Sequence, residues 1–337
     1  MIDAWCRLTG TAFGDAVRRD ALGIELGVLH PELSGTKPSD LLPTSGRRSL
    51  AIRHTIGLAD PVPVAPWVLD DGLPETAEDA VQQYGLDHLK IKVQGVAARD
   101  IIRLTEILRM IDATGRPFAV TVDCNESFHS SEYFLGWWDQ LSQSAEVGPF
   151  VASALIAIEQ PFHRSMALDP ALAAMFKERP DLPMLIIDES DGEPESIRRA
   201  MDLGYAGGTY KGCKGVFRGI ANACLVTARS ESRPTILTAE DLTILPPFAL
   251  LQDFAVVSAL GLTHLERNGH YFFGTVAPID PRVDGLLLAS HADVFESSAD
   301  GRVRLAIRGG RVAIGTVVDA PFGCIPLFDV AGLPEMV

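Results

Sequence analysis

Cysteine is scarce in this 337-residue sequence, and no two cysteines have the paired CxxC spacing of a metal or redox site. The five that occur are Cys6, Cys124, Cys213, Cys224 and Cys324. Such an odd, scattered set argues against a disulfide framework or a zinc cluster, so we expect reduced thiols that are mostly buried. The N-terminus also lacks the basic start and apolar core of a secretory signal, which predicts a cytoplasmic protein.

Long apolar runs and positive charge are scarce as well. Runs such as Ala154–Ile158 and Met184–Ile187 are far shorter than the roughly 18 to 20 residues that a membrane span needs. With 29 basic against 44 acidic residues, the formal net charge is −15. A surface of that sign repels phosphate backbones and anionic lipids, so we expect neither nucleic-acid nor membrane partners. Part of the acidic surplus is available to hold a metal.

What the sequence does contain is a repeated unit of a short, β-rich apolar run followed by a longer stretch with helical character. There are eight such runs: Ala51–Gly57, His88–Val93, Phe118–Asp123, Leu155–Glu159, Met184–Asp188, Gly208–Lys211, Thr235–Glu240 and Leu262–Glu266. Strands that are apolar throughout indicate a parallel sheet covered on both faces, and eight βα units favour a closed TIM-type (β/α) barrel.

A doubly wound open sheet is the main alternative fold. Against it, no GxGxxG follows the first run, and charged residues recur where the runs end. The carboxyl ends of barrel strands are where active sites form. We therefore predict an α/β protein whose functional residues lie at one mouth of the barrel.

Both chain ends fall outside the eight units. Residues 15–29 have helical spacing, and residues 302–307 and 311–318 alternate around a Gly309-Gly310 turn that predicts a hairpin. Neither segment buries its apolar face alone, so we expect both to pack together as a small α+β lobe beside the barrel mouth. The predicted boundaries are 1–48 for the N-terminal part, 49–295 for the barrel and 296–337 for the C-terminal part.

The second run places two lysines on one face of a strand. Lys90 and Lys92 project to one side, whereas Leu89 and Ile91 project to the other. In a covered strand, two ammonium groups are unfavourable unless carboxylates or an open polar cavity receive them. The alternative is an exposed edge strand from which both lysines extend into solvent.

Three carboxylates end the next three runs. Asp123, Glu159 and Asp188 each follow an otherwise apolar strand, so they are expected to converge on the barrel mouth. Their mutual repulsion calls for a divalent cation, and oxygen-only ligands favour Mg²⁺. Taken singly, each has a simpler interpretation: a turn at Asp123, a strand end at Glu159, and a Ser190–Glu193 capping box beside Asp188. Their occurrence in succession favours the metal site.

The sixth run adds a further lysine. Lys211 ends it and would lie roughly across the barrel from the second strand. Lys214, three residues later, is interpreted as a solvated residue of the following loop.

Five segments in order carry a more specific signal: Lys90-Ile-Lys92, Val122-Asp123-Cys-Asn125, Ile158-Glu159-Gln-Pro161, Asp188-Glu189-Ser190 and Tyr210-Lys211-Gly-Cys-Lys214. Together they resemble the signatures of the enolase superfamily, and most of all its muconate lactonizing enzyme-like subgroup within the mandelate racemase/muconate lactonizing enzyme family. Leu265-Glu266-Arg-Asn-Gly269 is similar to that subgroup's last-strand motif. Superfamily members usually carry a longer N-terminal capping domain, so the resemblance implies that the lobe built from both chain ends is a reduced cap.

The resemblance implies a role for each matched residue. Asp123, Glu159 and Asp188 would bind Mg²⁺, supported by Asn125 and Glu189. Lys92 and Lys211 would be the acid/base pair, and Lys90 would help to hold the substrate carboxylate and its enolate. Supporting or substrate-binding roles are expected for Lys214, Glu240, Glu266 and His270.

The seventh run helps to decide which subgroup of the family the sequence resembles. Mandelate racemase, a relative, uses a histidine on that strand, whereas residues 235–243 contain none and offer Glu240 and Asp241 instead. This favours the two-lysine subgroup. The last strand also lacks the Asp-x-Asp pattern of dipeptide epimerases, which makes a dipeptide substrate less favoured.

The expected function is Mg²⁺-dependent removal of the proton next to a carboxylate of a small molecule, through an enediolate that the metal and lysines stabilise. Racemases or epimerases, cycloisomerases and dehydratases or other β-eliminating enzymes share this step. The alternative is a non-catalytic relative that acts as a binding or structural protein. The sequence is compatible with a homo-oligomer.

Overall fold

The computed structural model describes residues 1–66, 72–240, 244, 247–267, 281–298 and 301–326. Its N-terminal part consists of α1 (Ile2–Thr9), α2 (Phe13–Arg18), two short 3-10 turns and α3 (Pro38–Leu41). The single helix predicted over 15–29 is therefore wrong beyond residue 18. Asp20 and Gly23 adopt left-handed backbone angles, φ 55° and 63°, and such residues end a helix.

All eight predicted strands are present, with ends shifted by at most two residues. They are β1 (Ser49–Ile56), β2 (His88–Lys92), β3 (Ala119–Asp123), β4 (Leu155–Glu159), β5 (Leu185–Ile187), β6 (Gly207–Lys211), β7 (Ile236–Glu240) and β8 (His264–Arg267). The helices between and after them are α4 (Ala77–Tyr84), α5 (Ala97–Ala113), α6 (Ser131–Gln143), α7 (Gly148–Ala154), α8 (Leu172–Glu178), α9 (Ser196–Leu203), α10 (Val216–Arg229), α11 (Phe248–Ala259) and α12 (Pro281–Ser290).

The strands pair in chain order. Parallel pairing runs from β1 through to β7, and β8 returns to pair with the other side of β1. This is the order of a barrel, not the reversed order of a doubly wound sheet. Over the described residues, β7 and β8 lie next to each other without strand pairing, so a fully hydrogen-bonded ring is not seen.

Both faces of the strands are covered. On β2, Leu89 and Ile91 are fully buried toward the helices, and Lys90, on the other face, is only 1% exposed. Burying an apolar side chain of the size of leucine or isoleucine stabilises the fold by about 1.5–3 kcal/mol. The apolar face therefore attaches the strand to the helix layer and leaves the inner face for polar residues.

The predicted C-terminal hairpin is confirmed at its turn and for residues 307–308 and 311–313. Residues 303–305 of its predicted first strand pair with residues 295–297 instead, and its expected place at the mouth is wrong. Gly309 and Gly310, at φ 54° and 72°, turn β11 (Ile307–Arg308) into β12 (Arg311–Ala313). β12 then pairs antiparallel with Ser49–Ala51, at the amino end of β1. That edge is open because β2 pairs with β1 only from residue 53 onward. The hairpin thus lies at the rim opposite the strand ends.

The chain ends contact each other, as predicted, although they do so beside α11 in the outer layer of helices. Arg7 donates hydrogen bonds to the carbonyl oxygens of Cys324 and Ile325, at 2.7 and 3.1 Å. The rings of Phe13 and Phe322 lie 4.7 Å apart. α2 and α13 (Gly315–Asp319), which replaces the end of the predicted second hairpin strand, both pack on α11. The boundaries 1–48, 49–295 and 296–337 stay predictions.

A small two-stranded sheet, β9 (Phe295–Ser297) with β10 (Val303–Leu305), precedes the hairpin. All five cysteines are free, and all but Cys213 are buried, as the sequence indicates. Within the described ranges, no helix is long and apolar enough to cross a membrane.

Buried His54 makes stability depend on pH. Burial lowers the pKa of His54 on β1 to about 4, against the opposing effect of Asp60 and Glu266. The unfolded chain, with an ordinary histidine pKa near 6.5, then binds the proton more tightly than the folded chain. His54 therefore contributes stability above about pH 6.5 that is lost as the pH falls toward 4, by about 3 kcal/mol in full.

We expect His54→Gln to flatten this part of the pH profile. Urea unfolding of both proteins between pH 7.5 and 4.5 gives the free energy of unfolding at each pH. Subtracting the slope of the variant from that of the wild type removes the contribution of the carboxylates, which both proteins share. Parallel profiles would show that His54 is not a neutral buried residue.

Candidate active site

Several of the predicted site residues lie at one height, at the carboxyl ends of the strands. Lys92 pairs in register with Asp123, and Asp123 pairs with Glu159. Lys211 is likewise in register with Glu240. The strand order and register thus bring together residues that lie far apart in sequence.

A buried ammonium group forms the centre of the site. The Lys90 Nζ lies 2.9 Å from Asp123 Oδ2 and 2.9 Å from Glu159 Oε1. It is also 2.8 Å from Glu266 Oε2 and 3.7 Å from Glu240 Oε2. Burial acts to lower the pKa of Lys90, but these four carboxylates outweigh it and raise the pKa well above its usual range. These contacts favour the charged form of Lys90. Because Lys90 is buried within the sheet, the alternative of an exposed edge strand is wrong.

The same contacts show how tightly the sheet is curled. Glu159 is on β4 and Glu266 on β8, four strands apart, yet both accept a hydrogen bond from Lys90. One ammonium group therefore spans the interior between opposite parts of the sheet.

Lys211 lies between two carboxylates. Its Nζ is 2.8 Å from Asp188 Oδ2 and 3.0 Å from Glu240 Oε2. Burial acts to lower the pKa of Lys211, but Asp188 and Glu240 raise it by more, so the pKa lies above its usual value. The same pairing, with that of Lys214, holds the pKa of Asp188 below its usual value although burial opposes this.

Lys214 is not the solvated loop residue that we expected. The 3-10 turn Gly212–Lys214 folds it back over the site, where its Nζ donates to the Asp188 backbone oxygen at 2.9 Å. It also lies 3.2 Å from Asp191 Oδ2. Lys214 thereby supports the loop that carries Asp188.

Lys92 differs from the other lysines of the site. It is half-buried, and no hydrogen bond or ion pair joins its side chain to the residues that the structure describes. It follows Lys90 on the same face of β2, one step closer to the mouth. Its ammonium group is therefore available to an incoming molecule.

Asn125 connects two of the carboxylates. Its backbone N–H donates to Asp123 Oδ1 at 2.9 Å, and its side-chain Nδ2 donates to Asp123 Oδ2 at 3.1 Å. The same Nδ2 donates to Glu189 Oε1 at 3.2 Å. Burial and then the charges of Asp188 and Asp123 raise the pKa of Glu189. Asn125 thus contacts both Glu189, the other predicted supporting group, and Asp123, the expected first metal ligand.

One trio of carboxylates is arranged for a metal ion. Single oxygens of Glu159, Asp188 and Glu240 all lie within 4.8 Å of one another. Within the described part of the chain, Asp123 is not part of this trio, and its Oδ2 pairs with Lys90. The trio thus contains Glu159 and Asp188 from the predicted set, with Glu240 in place of Asp123.

Among the carboxylates of the site, Glu159 has the environment that most clearly favours a bound cation. It is fully buried, and its Oε2 has no hydrogen-bond partner among the described residues. Burial, with help from Asp123 and Asp188, raises its pKa to about 8 despite the opposing charge of Lys90. Burial likewise raises the pKa of Glu240 to about 9. Buried, oxygen-only donors of this kind fit a hard divalent cation such as Mg²⁺.

Three participants were not anticipated from the sequence. Arg53 on β1 is fully buried and donates to the carbonyl oxygen of Ala239 at 3.1 Å. Thr55, two residues further on the same face, donates to Glu266 Oε1 at 2.5 Å. Polar residues at alternate positions of an apolar strand were the available signal. The third is Gln160, which directly follows Glu159 and is fully buried.

Part of the predicted site cannot be placed. His270, Asp241 and the end of the last-strand motif, residues 268 and 269, lie outside the described residues. Glu266, in contrast, is in place on β8 and only 1% exposed.

Comparison with known proteins finds similar solved structures but no matching family model and no matching curated protein. A dipeptide epimerase from Enterococcus faecalis V583 is 18% identical, with 67% of this chain and 58% of that chain covered, at a TM-score of 0.48. A mandelate racemase/muconate lactonizing enzyme from Roseiflexus sp. is 16% identical over 82% of this chain and 65% of that chain, at a TM-score of 0.49.

A third solved structure was obtained with magnesium. It is a mandelate racemase/muconate lactonizing protein from Paracoccus denitrificans PD1222, 15% identical over 81% of this chain and 65% of that chain, at a TM-score of 0.48. The present chain spans roughly three fifths of the length of these three proteins. Likeness at these identities and TM-scores carries no activity, substrate or metal across to this chain.

Proposed function

We propose that this chain is a Mg²⁺-dependent isomerase or lyase of the enolase superfamily that removes the proton next to the carboxylate of a small molecule. The observation that carries the proposal is the environment of Glu159. This buried carboxylate has an unpartnered oxygen close to those of Asp188 and Glu240, between lysines on opposite parts of the sheet. Such a constellation is unfavourable for an apo protein and suits a bound cation with an anionic ligand.

The crowding of carboxylates in the site supports a metal. Five of them lie around the buried ammonium groups of Lys90 and Lys211: Asp123, Glu159, Asp188, Glu240 and Glu266. Burial raises the pKa of Glu159 and of Glu240 in spite of these cations, and a divalent cation would favour their ionised forms. Bound there, Mg²⁺ would supply electrophilic stabilisation of the charge that develops on the substrate carboxylate.

The resemblance in sequence and the geometry differ on one ligand. Glu159 and Asp188 belong to both possible sets and would hold the ion in either case. Asp123 is the third ligand that the resemblance implies, and we propose it as such. Glu240 is the competing third ligand because its oxygen already lies close to the other two.

Lysines on opposite parts of the sheet are suited to move the proton. Lys92 on β2 has no described partner, and Lys211 on β6 lies four strands away. The single side chain of Lys90 hydrogen-bonds to both β4 and β8, so the interior of the curled sheet is narrow. It is narrow enough for Lys92 and Lys211 to approach opposite faces of one carbon. One lysine would remove the proton and the other would return it, as two-sided general acid–base catalysis requires.

Lys90 would act electrostatically. Its pKa is raised and it is almost inaccessible to solvent, so it supplies a fixed positive charge next to the metal ligands. A preorganised cation of this kind stabilises an enediolate more than the carboxylate from which it forms. Racemisation, epimerisation, cycloisomerisation and β-elimination all begin with this step. The two facing lysines favour racemisation or epimerisation among them.

Solvent exchange and metal-dependent stability test the proposal together. We expect Mg²⁺ to stabilise the folded chain, by about 2.7 kcal/mol at one hundred times the Kd. In D₂O, a panel of small carboxylic acids should include some that take up deuterium at the α-carbon with Mg²⁺ and do not with a chelator.

Mass spectrometry measures the exchange, and thermal unfolding measures the stabilisation. Stabilisation by Mg²⁺ without exchange of any acid would favour the non-catalytic alternative. Exchange that persists in chelator would contradict the metal assignment.

A further inference from the structure

Gln160 occupies an unusual position directly after Glu159. Its side chain is fully buried, and its backbone has a left-handed φ of 38°. Residues other than glycine hold such angles only where their surroundings over-determine them, and they cluster at functional sites. Its backbone is held on both sides: its carbonyl oxygen accepts from the N–H of Glu126, and its N–H donates to Ile186, at 2.9 and 2.8 Å.

The side-chain amide of Gln160 is fully used. Its Oε1 accepts from the backbone N–H groups of Asp188 and Ser190, at 2.7 and 3.1 Å. Its Nε2 donates to Ser190 Oγ at 2.6 Å and to the Phe162 backbone oxygen at 2.7 Å. A primary amide has two acceptor sites and two donors, so every one of them has a partner. These bonds join the loop after β4 to the loop after β5.

Strand pairing alone does not fix these loops. β4 and β5 pair in register only through Ile158 with Leu185 and Glu159 with Ile186. The ladder therefore ends before Asp188, which follows β5. The position of the Asp188 carboxylate relative to that of Glu159 therefore depends on contacts beyond the ladder. Lys211 and Lys214 hold Asp188 from the side of β6, and Gln160 joins its loop directly to the loop that follows Glu159.

We propose that Gln160 is a positioning residue that sets the distance between the metal-binding carboxylates of Glu159 and Asp188. The inference rests on the proposed metal site. A ligand pair held at the right separation binds a small, geometrically demanding ion more tightly than a mobile pair. Groups that orient metal ligands in this way typically contribute 10- to 100-fold to metal affinity.

The test compares variants of the full chain. Gln160→Gly removes the amide and accepts the left-handed backbone without strain, whereas Gln160→Met keeps the length and volume of the side chain but cannot form the bonds. Tyr205→Phe is the matched control, because it removes one buried hydrogen bond, from the hydroxyl to the Ala167 carbonyl oxygen at 2.9 Å, away from the loops.

Titration calorimetry with MgCl₂ gives the first measurement. We expect the Kd for Mg²⁺ to rise about 10- to 100-fold in both Gln160 variants and to stay within about twofold of wild type in Tyr205→Phe. A wild-type Kd in either folded Gln160 variant would overturn the inference.

Amide hydrogen exchange gives the second measurement, which needs neither metal nor substrate. Loss of Gln160 Oε1 leaves the N–H groups of Asp188 and Ser190 without their acceptor, so peptides covering 185–192 should exchange faster in both variants. Unchanged exchange there would also overturn the inference. If wild-type protein binds no Mg²⁺, the proposed function fails, and the exchange of this peptide still decides whether Gln160 holds the loop.

Discussion

Replacing Lys211 by arginine should stop proton exchange at one enantiomer of the substrate while exchange at the other continues, and Lys92→Arg should show the reverse. Arginine keeps the positive charge that pairs with Asp188 and Glu240, but it does not give up its proton at accessible pH. Loss of a positioned acid or base lowers a rate by about 10²- to 10⁴-fold. The two lysines approach from opposite parts of the sheet, so each loss should affect one face of the α-carbon.

Deuterium uptake of separate enantiomers, followed by mass spectrometry, measures this result. Lys177→Arg, on the exposed side of α8, is the control for lysine chemistry in general. In a syn elimination one lysine alone acts as base, so only one substitution would abolish exchange. Full exchange of both enantiomers in the double variant would rule out the lysines and point to Glu240 or His270 as the base.

The metal ligands should differ in how much their loss weakens Mg²⁺ binding. Glu159→Gln and Asp188→Asn remove ligands that belong to both possible sets, so each should abolish measurable binding and catalysis. Their effect should exceed the 10- to 100-fold loss expected when a residue merely orients a ligand. Glu178→Gln, with the same change of charge on the exposed surface of α8, should leave the Kd unchanged.

Asp123→Asn and Glu240→Gln then identify the third ligand. We expect the larger loss for Asp123→Asn. The reverse order would assign the third position to Glu240 and leave Asp123 as the partner of Lys90. Wild-type affinity in Asp188→Asn would contradict the metal site altogether.

Local sequence patterns predicted the strands and the edge of the sheet at which the candidate site lies. Apolar runs that end in a charge, such as the one closed by Glu159, carry both kinds of information, because strand length and side-chain burial are local properties. Gly309-Gly310 likewise predicted a hairpin, since the left-handed turn is encoded within two residues.

Other features depend on contacts between distant residues. Nothing near Arg311 indicates that its strand pairs with the amino end of β1, so the hairpin was expected at the wrong rim. Lys214 was assigned to solvent because its partners, Asp188 and Asp191, are brought to it by a neighbouring loop. Gln160 had no predicted role of its own within the Glu159-Gln-Pro161 motif. Its four side-chain hydrogen bonds form only when the loops after β4 and β5 meet.

The pairing of β12 with β1 also constrains when the chain completes its fold. Residue 49 pairs with residue 313, which is synthesised about 260 positions later, and β8 supplies the other neighbour of β1 from residue 264 onward. Contacts of such long sequence separation slow folding, and strand edges that are still unpaired are prone to aggregation until folding is complete. During translation, β1 therefore remains without part of its final partners until nearly all of the described chain has left the ribosome.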